Sequence, residues 1–298
     1  MTRDPPQQTV YSRPRPVVSP ARRLRIGIAG WQVAREHRSG SQRSHLQRYA
    51  EVFTGVEINS SFQNDHLPKT YEKWGSITPP WFRFAVKAPK RITHELRLER
   101  TTAEIKAFAA AARRLGGKLG PVLIQLPPSL VFNRRTVDRF LSACAAAGLH
   151  ELVCEPRHAS WSGASAHACL ACHGVSRVSA DPISAAGPVL PDDARALVYY
   201  RLHGSPQMYS SSYTDAAMTS LHERISAQLA RGCEVWCIFD NTAWQAAWPD
   251  ALRLASLFGA DDCRGAIVQP ATALPVAQTD GGKRTRRGGT SFADCPGT

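Results

Sequence analysis

The chain has 298 residues, 43% hydrophobic and 20% charged, which is enough to bury one large core or two small ones and excludes a fibre or a wholly disordered polymer. No stretch approaches the ~20 consecutive apolar residues that cross a bilayer, and the opening MTRDPPQQTVYSRPRPVVSPARR lacks the apolar run of a secretory signal, so a cytoplasmic protein with no membrane partner is expected. The net charge of +13 admits a nucleic-acid partner but is unevenly spread, with +5 in residues 1–25 and +3 in 281–298. Charge of that kind neutralises phosphates without positioning them, so the ends should add non-specific polyanion affinity and no catalysis.

Residues 1–23 are rich in Pro and Arg, and 271–298 in Gly, Thr and basic side chains. Neither has apolar periodicity, and both read as flexible basic tails around a folded unit spanning 24–270. Within that unit RIGIAGW (25–31) precedes a helical pattern at 42–53, GVEINSSF (55–62) one at 68–76, and RFAVKAP (83–89) one at 102–116 opened by Thr101. PVLIQLPP (121–128) leads to 134–147, and ELVCEPR (151–157) to 163–173. RVSADP (177–182) is followed by LVYYRLHG (197–204), then by a helix at 214–231 opened by Thr214, and EVWCIFDN (234–241) by one at 246–259. Alternating β and α segments require a parallel sheet. Eight strands with no Gly-x-Gly-x-x-Gly after the first predict a single (β/α)8 barrel of the TIM type in the α/β class.

Strand parity then locates the chemistry, because alternate side chains point to opposite faces and one face of a barrel strand lines the lumen. Glu57 and Asn59 oppose Val56 and Ile58; Lys87 opposes Phe84 and Val86; Gln125 opposes Ile124 and Leu126. Glu155 and Arg157 oppose Cys154, Asp181 opposes Ala180, Arg201 and His203 oppose Tyr200 and Leu202, and Asp240 opposes Phe239. All lie near the C-terminal ends of their strands, where barrel enzymes place their working groups. Trp31 offers an aromatic wall, His94 and His158 fall just past the third and fifth strands, Asn241 follows Asp240, and Tyr209 and Tyr213 can stack on a sugar or base. A lumen can also hold a purely structural ion-pair network. So many charges converging on one rim favour function, since burying them only to fill space is an expensive way to build a core.

Four acids, Glu57, Glu155, Asp181 and Asp240, face the cations Lys87, Arg157 and Arg201, a balance suited to clamping a phosphate or carboxylate with Arg in a bidentate grip. Glu57 or Glu155 beside a histidine would serve as general acid or base. No cofactor is expected. A divalent metal would have to be assembled in space from the scattered His94, His158 and His203. The eight cysteines read as reduced thiols, and Cys169-Leu-Ala-Cys172-His173, which has the spacing of c-type haem attachment, reads as a helix end because haem attachment needs export.

The blocks GVEINSSF, FRFAVKAPKRITHE, LGPVLIQLPPSL, CEPRHASW, SADP, YYRLHGSPQMYSSSY and VWCIFDNTA resemble, in order, the motifs of the YecE-like family, domain of unknown function 72. The resemblance spans nearly all of 25–258 and implies a TIM-type barrel with a polar top-face cavity, without a settled reaction. It places Gly30, Trp31, Glu57, Asn59, Lys87, Thr93, His94, Gln125, Glu155, Arg157, His158, Asp181, Arg201, His203, Asp240 and Asn241 at motif positions. The chain departs from the family's Ser-Phe-Tyr-Arg with Ser61-Phe62-Gln63-Asn64, and from its Trp-Ser motif after Trp31. Two functions follow as expectations. One is an enzyme, a hydrolase or lyase of an anionic phosphate-containing substrate, such as a sugar phosphate or nucleic acid. The other is a binding module holding a nucleic-acid end or anionic metabolite without turnover.

Overall fold

A computed structural model describes residues 23–32, 43–183 and 196–258. The two expected tails lie outside the described residues, apart from Arg23. Eight parallel strands, β1 (Leu24–Ile28), β2 (Gly55–Ile58), β3 (Arg83–Lys87), β4 (Leu119–Gln125), β5 (Leu152–Glu155), β6 (Ser176–Asp181), β7 (Leu197–Leu202) and β8 (Glu234–Phe239), form one sheet in the order β1-β8-β7-β6-β5-β4-β3-β2. Helices α1 (His45–Val52), α2 (Pro68–Ser76), α3 (Thr102–Ala112), α4 (Arg134–Ala146), α5 (Ala164–Cys172), α6 (Asp215–Ala230) and α7 (Ala247–Leu257) alternate with the strands. This is the expected α/β barrel, and every expected helix is found within a few residues of its place. The strands stop earlier than expected at their C-terminal ends. After β2, for example, Asn59 turns to helical φ and ψ and Ser60–Phe62 form a 3-10 turn.

The sheet closes at a seam between β1 and β2, where the only backbone bridge among the described residues joins Ala29 to Glu57. Side chains complete it. The Tyr49 hydroxyl of α1 accepts from the Ile28 N–H at 2.8 Å and donates to the Gly55 carbonyl at 3.0 Å, and Thr54 Oγ1 accepts from the Ile26 N–H at 3.3 Å. Gly27 permits this close approach, since a Cβ there would lie 2.0 Å from the Gly55 carbonyl oxygen.

The outward strand residues join the helices in the main core, whereas Ala85, Leu123, Val153, Val178, Tyr199, Trp236 and Ile238 form a separate apolar plug inside the barrel. Trp236 dominates the plug: a Cβ at Gly120 would come within 2.5 Å of its ring, and Tyr199 stacks on it at 6.2 Å. Arg25, counted above with the charge of the N-terminal end, belongs to β1 opposite Trp236 and is buried. Thr214 caps α6 through its hydroxyl, as expected, but Thr101 makes no side-chain cap on α3. The six described cysteines are free, and Cys169 and Cys172 lie at the end of α5. No described helix is long and apolar enough to cross a membrane.

Candidate functional site

Above the apolar plug, a charged layer is built around Arg201. β7 carries Tyr199 and Arg201 on its lumen face with His203 just past its end, β2 contributes Glu57, β5 Glu155 and β8 the following Asp240. Arg201 is 1% exposed and grips Glu57 with Nε (3.1 Å) and Nη2 (2.9 Å), Glu155 with Nη1 (3.1 Å) and Asp240 with Nη2 (3.0 Å). The Tyr199 hydroxyl donates to Glu57 at 2.9 Å, which ties the charged layer to the plug.

His203 lies between two carboxylates, with Nδ1 3.0 Å from Asp240 and Nε2 3.1 Å from Glu155. An acceptor at each ring nitrogen requires both to carry protons, so the ring is an imidazolium. Burial opposes the charge, but the hydrogen bonds to Asp240 and Glu155 raise the pKa above the ordinary histidine value. Burial alone would push Glu155 and Asp240 up. Arg201 and His203 instead hold both below the usual carboxylate range.

Two further cations stand at the mouth. Arg157 donates to Glu155 at 3.0 Å and to the Tyr209 hydroxyl at 3.3 Å, and its side chain is 24% exposed. Lys87 is buried with its ammonium 4.1 Å from the centre of the Phe62 ring, and no described carboxylate lies at ion-pair distance. Burial and the charge of Arg201 lower its pKa to about 8, against the opposing pull of Glu57, Asp240 and Glu155. Phe62 also contacts His94 edge-on at 5.0 Å. Burial, then Lys87, Lys90, Arg157 and Arg97, lowers the His94 pKa, so that ring is neutral at pH 7. Gln125, also buried, is in register with Glu155 on the neighbouring strand.

Glu57, Lys87, Gln125, Glu155, Arg157, Arg201, His203 and Asp240 therefore converge, with His94 and Tyr209 at the edge. Other expected members stand elsewhere. On β6, Val178 points into the lumen while Arg177 bonds His167 of α5 at 2.7 Å, so Asp181 shares the outward set of Arg177 and lies near Tyr213. The parity assignment of Asp181 is thus corrected: RVSADP alternates as strictly as the other strands, but here the apolar set, with Val178 joining the plug, faces the lumen and the polar set Arg177, Ser179 and Asp181 faces outward. Arg201, expected to clamp substrate, is occupied by three carboxylates. His158 caps the 3-10 turn after β5, accepting from the Ser160 N–H, and makes no bond to the charged layer. Asn241 is fully buried and donates to the Ser211 carbonyl and to Asp250, tying the loops after β7 and β8 to α7. Asn59 begins the turn after β2. Trp31 packs on Trp74 of α2 at 4.9 Å, outside the charged layer. Tyr213 is buried and donates through its hydroxyl to the Asp181 carbonyl, packing its own loop.

Tyr199 and Phe62 were not singled out from sequence. Tyr199 shares the parity of Arg201 and His203, so the signal was present in LVYYRLHG; Phe62 gains its place over Lys87 only through the turn after β2. Among the described residues no three His, Cys, Asp or Glu side chains form a group able to hold a metal, the carboxylates here being spaced around a guanidinium.

Residues 25–274 match the family model described as protein of unknown function DUF72. The chain belongs to this family. It is 28% identical over 102 residues to the UPF0759 protein YecE of Escherichia coli K12, a match covering 34% of this chain and 37% of YecE. Crystal structures of DUF72 family proteins from Thermotoga maritima MSB8 (23% identity, TM-score 0.67, 78% of this chain and 98% of that one) and Enterococcus faecalis V583 (21%, 0.65, 78% and 94%) share the fold. Where this chain departs from the DUF72 motif after β2, Gln63 and Asn64 are exposed, and Asn64 bonds only the Ser60 carbonyl of its own turn.

Proposed function

We propose that the barrel is a cytoplasmic enzyme acting on an anionic, phosphate-containing substrate at its C-terminal mouth, by hydrolysis or elimination with general acid/base catalysis. The observation that carries this reading is Lys87. A buried ammonium without a carboxylate partner is costly unless something anionic completes it. The wider count agrees: without Asp181 the described residues of the layer and its mouth are Glu57, Glu155 and Asp240 against Arg201, Arg157, Lys87 and the His203 imidazolium, an excess of one positive charge among them. A phosphate between Lys87 and Arg157 balances it.

A group that titrates near neutrality is suited to moving a proton, and Lys87, at about 8, fits that role. The neutral His94 ring, across Phe62 from Lys87, is a base within the same mouth. Glu57 fits the acid/base role less well, because its oxygens are taken up by Arg201 and Tyr199. That same saturation favours the second reading, a module that binds an anionic metabolite or nucleic-acid end without turnover.

The test is Lys87→Met, titrated with inorganic phosphate and ribose 5-phosphate by calorimetry. Binding should drop at least tenfold while the melting temperature does not fall, because no ion pair is broken. Unchanged affinity would refute the anion site. Phosphate release from ribose 5-phosphate or another phosphate ester by wild type, lost in Lys87→Met, separates the enzyme from the binding module.

A further inference from the structure

The exposed large apolar side chains of the described residues are not spread evenly. Six of the eight, Leu67, Val131, Ile183, Met208, Tyr209 and Trp244, follow the C-terminal end of a strand and so stand on the same rim as the charged layer, whereas Trp81 precedes β3 and Leu257 ends α7. Trp244, in the loop after β8, is 72% exposed, and no described ring packs against it. An indole left in water on the same rim as a buried cationic site offers a flat face and no charge of its own.

The geometry around Trp244 is held in place. The Tyr209 N–H donates to the His203 carbonyl, and the Tyr209 carbonyl accepts from the Ala243 N–H at 3.0 Å, next to Trp244. The Tyr209 hydroxyl reaches Arg157, and its ring stands edge-on over His203 at 5.5 Å. Tyr209 thus spans from the Trp244 loop to the cationic mouth. Both loops carry a non-glycine residue in the left-handed region, Tyr209 (φ 68°) and Gln245 (φ 62°), a conformation that persists only where the surroundings impose it and that concentrates at ligand sites. Below them the buried Asn241 bonds Ser211 and Asp250 and fixes the base of the two loops.

We infer that Tyr209 and Trp244 form a stacking shelf for a planar heteroaromatic ring whose phosphate is held by Lys87 and Arg157, so that the ligand is a nucleoside phosphate. This rests on the anion site proposed above and narrows its ligand. A base has a π-face for an aromatic side chain whatever its hydrogen-bonding edge, whereas the ribose of a sugar phosphate presents only C–H bonds to Trp244 and covers less of it. The nucleotide chemistry is shared by a free nucleotide and the 5′ end of a nucleic-acid strand.

The experiment compares 5′-AMP, ribose 5-phosphate and a 5′-phosphorylated octathymidylate as ligands of the full chain by calorimetry. Wild type should bind AMP about tenfold more tightly than ribose 5-phosphate, in keeping with the usual worth of one stacked base. Trp244→Ala should bring AMP down to the affinity of ribose 5-phosphate and leave ribose 5-phosphate unchanged, and Trp244→Phe should keep most of the difference. Lys87→Met should weaken both ligands by the same factor. Equal affinity for AMP and ribose 5-phosphate in wild type, or a Trp244→Ala effect of the same size on both, overturns the shelf and leaves the anion site standing. Binding that Lys87→Met does not touch overturns the anion site and this inference with it. Tighter binding of the octathymidylate than of AMP, lost in Trp244→Ala and so not due to the basic ends, assigns the strand end as the source; the reverse order assigns the free nucleotide.

Discussion

Arg201→Met takes the central cation out of the charged layer and puts a side chain of similar length in its place. Glu57, Glu155 and Asp240 then lose contacts of 2.9, 3.1 and 3.0 Å in a region where Arg201 is 1% exposed and Glu57 fully buried. Removing one partner of a buried ion pair costs about 3–5 kcal/mol, because the remaining charge keeps its desolvation penalty. In a domain of this size each kcal/mol moves the melting temperature by about 2–4 °C, so the fall at pH 7 should be about 6–20 °C. The loss has a defined pH dependence. In wild type, Glu155 and Asp240 are held below the usual carboxylate range, so they stabilise the fold above their unfolded values near 4, and this is lost as pH falls through the folded values. Without Arg201 their folded pKa values rise, protonation relieves the stranded charge, and the gap between variant and wild type should narrow between pH 7 and about 5. Thermal melts by circular dichroism across that range test both parts. A melting temperature within about 2 °C of wild type at pH 7, or a gap that does not change with pH, would show that the layer does not depend on its central cation.

His203 gives the opposite sign: its folded pKa is raised, so its stabilisation is complete below the unfolded value near 6.5 and is lost as pH rises through the folded value. The stability difference between wild type and His203→Gln should therefore be largest below pH 6.5 and shrink on the alkaline side, and ring NMR of His203 should show the imidazolium at pH 7. Tyr49→Phe strands the Ile28 N–H and the Gly55 carbonyl at the seam and should cost about 1–3 kcal/mol in urea unfolding; an unchanged midpoint would mean that water or backbone closes the seam instead. Gly27→Ala places a carbon 2.0 Å from the Gly55 carbonyl oxygen and should prevent recovery of folded protein, whereas a well-folded variant would show that β1 and β2 can move apart.

Much of this arrangement is local, and local features are legible in a sequence. The eight apolar runs and intervening helices mark the barrel, because strands and helices bury their apolar residues with different periods. Strict alternation in GVEINSSF, RFAVKAP and LVYYRLHG puts Glu57, Lys87, Arg201 and His203 on the inner face. That holds because a one-residue slip would turn every apolar side chain of the strand away from its helices. Around Asp181 the alternation is equally strict but its polar set faces out, because pairing decides the face: Ala180 lies opposite Arg201 and Asp181 opposite Leu202 in the register with β7, and Val178 fills the plug. Partner choice is likewise a tertiary fact. Arg201 is 144 residues from Glu57 and 46 from Glu155, and only barrel closure makes three carboxylates compete for one guanidinium, leaving Lys87 with none of the described carboxylates at ion-pair distance. Charge type and inner face were written into the strands, but which charges cancel and which stay open to a ligand depended on distances across the lumen, and a linear order of residues does not contain those distances.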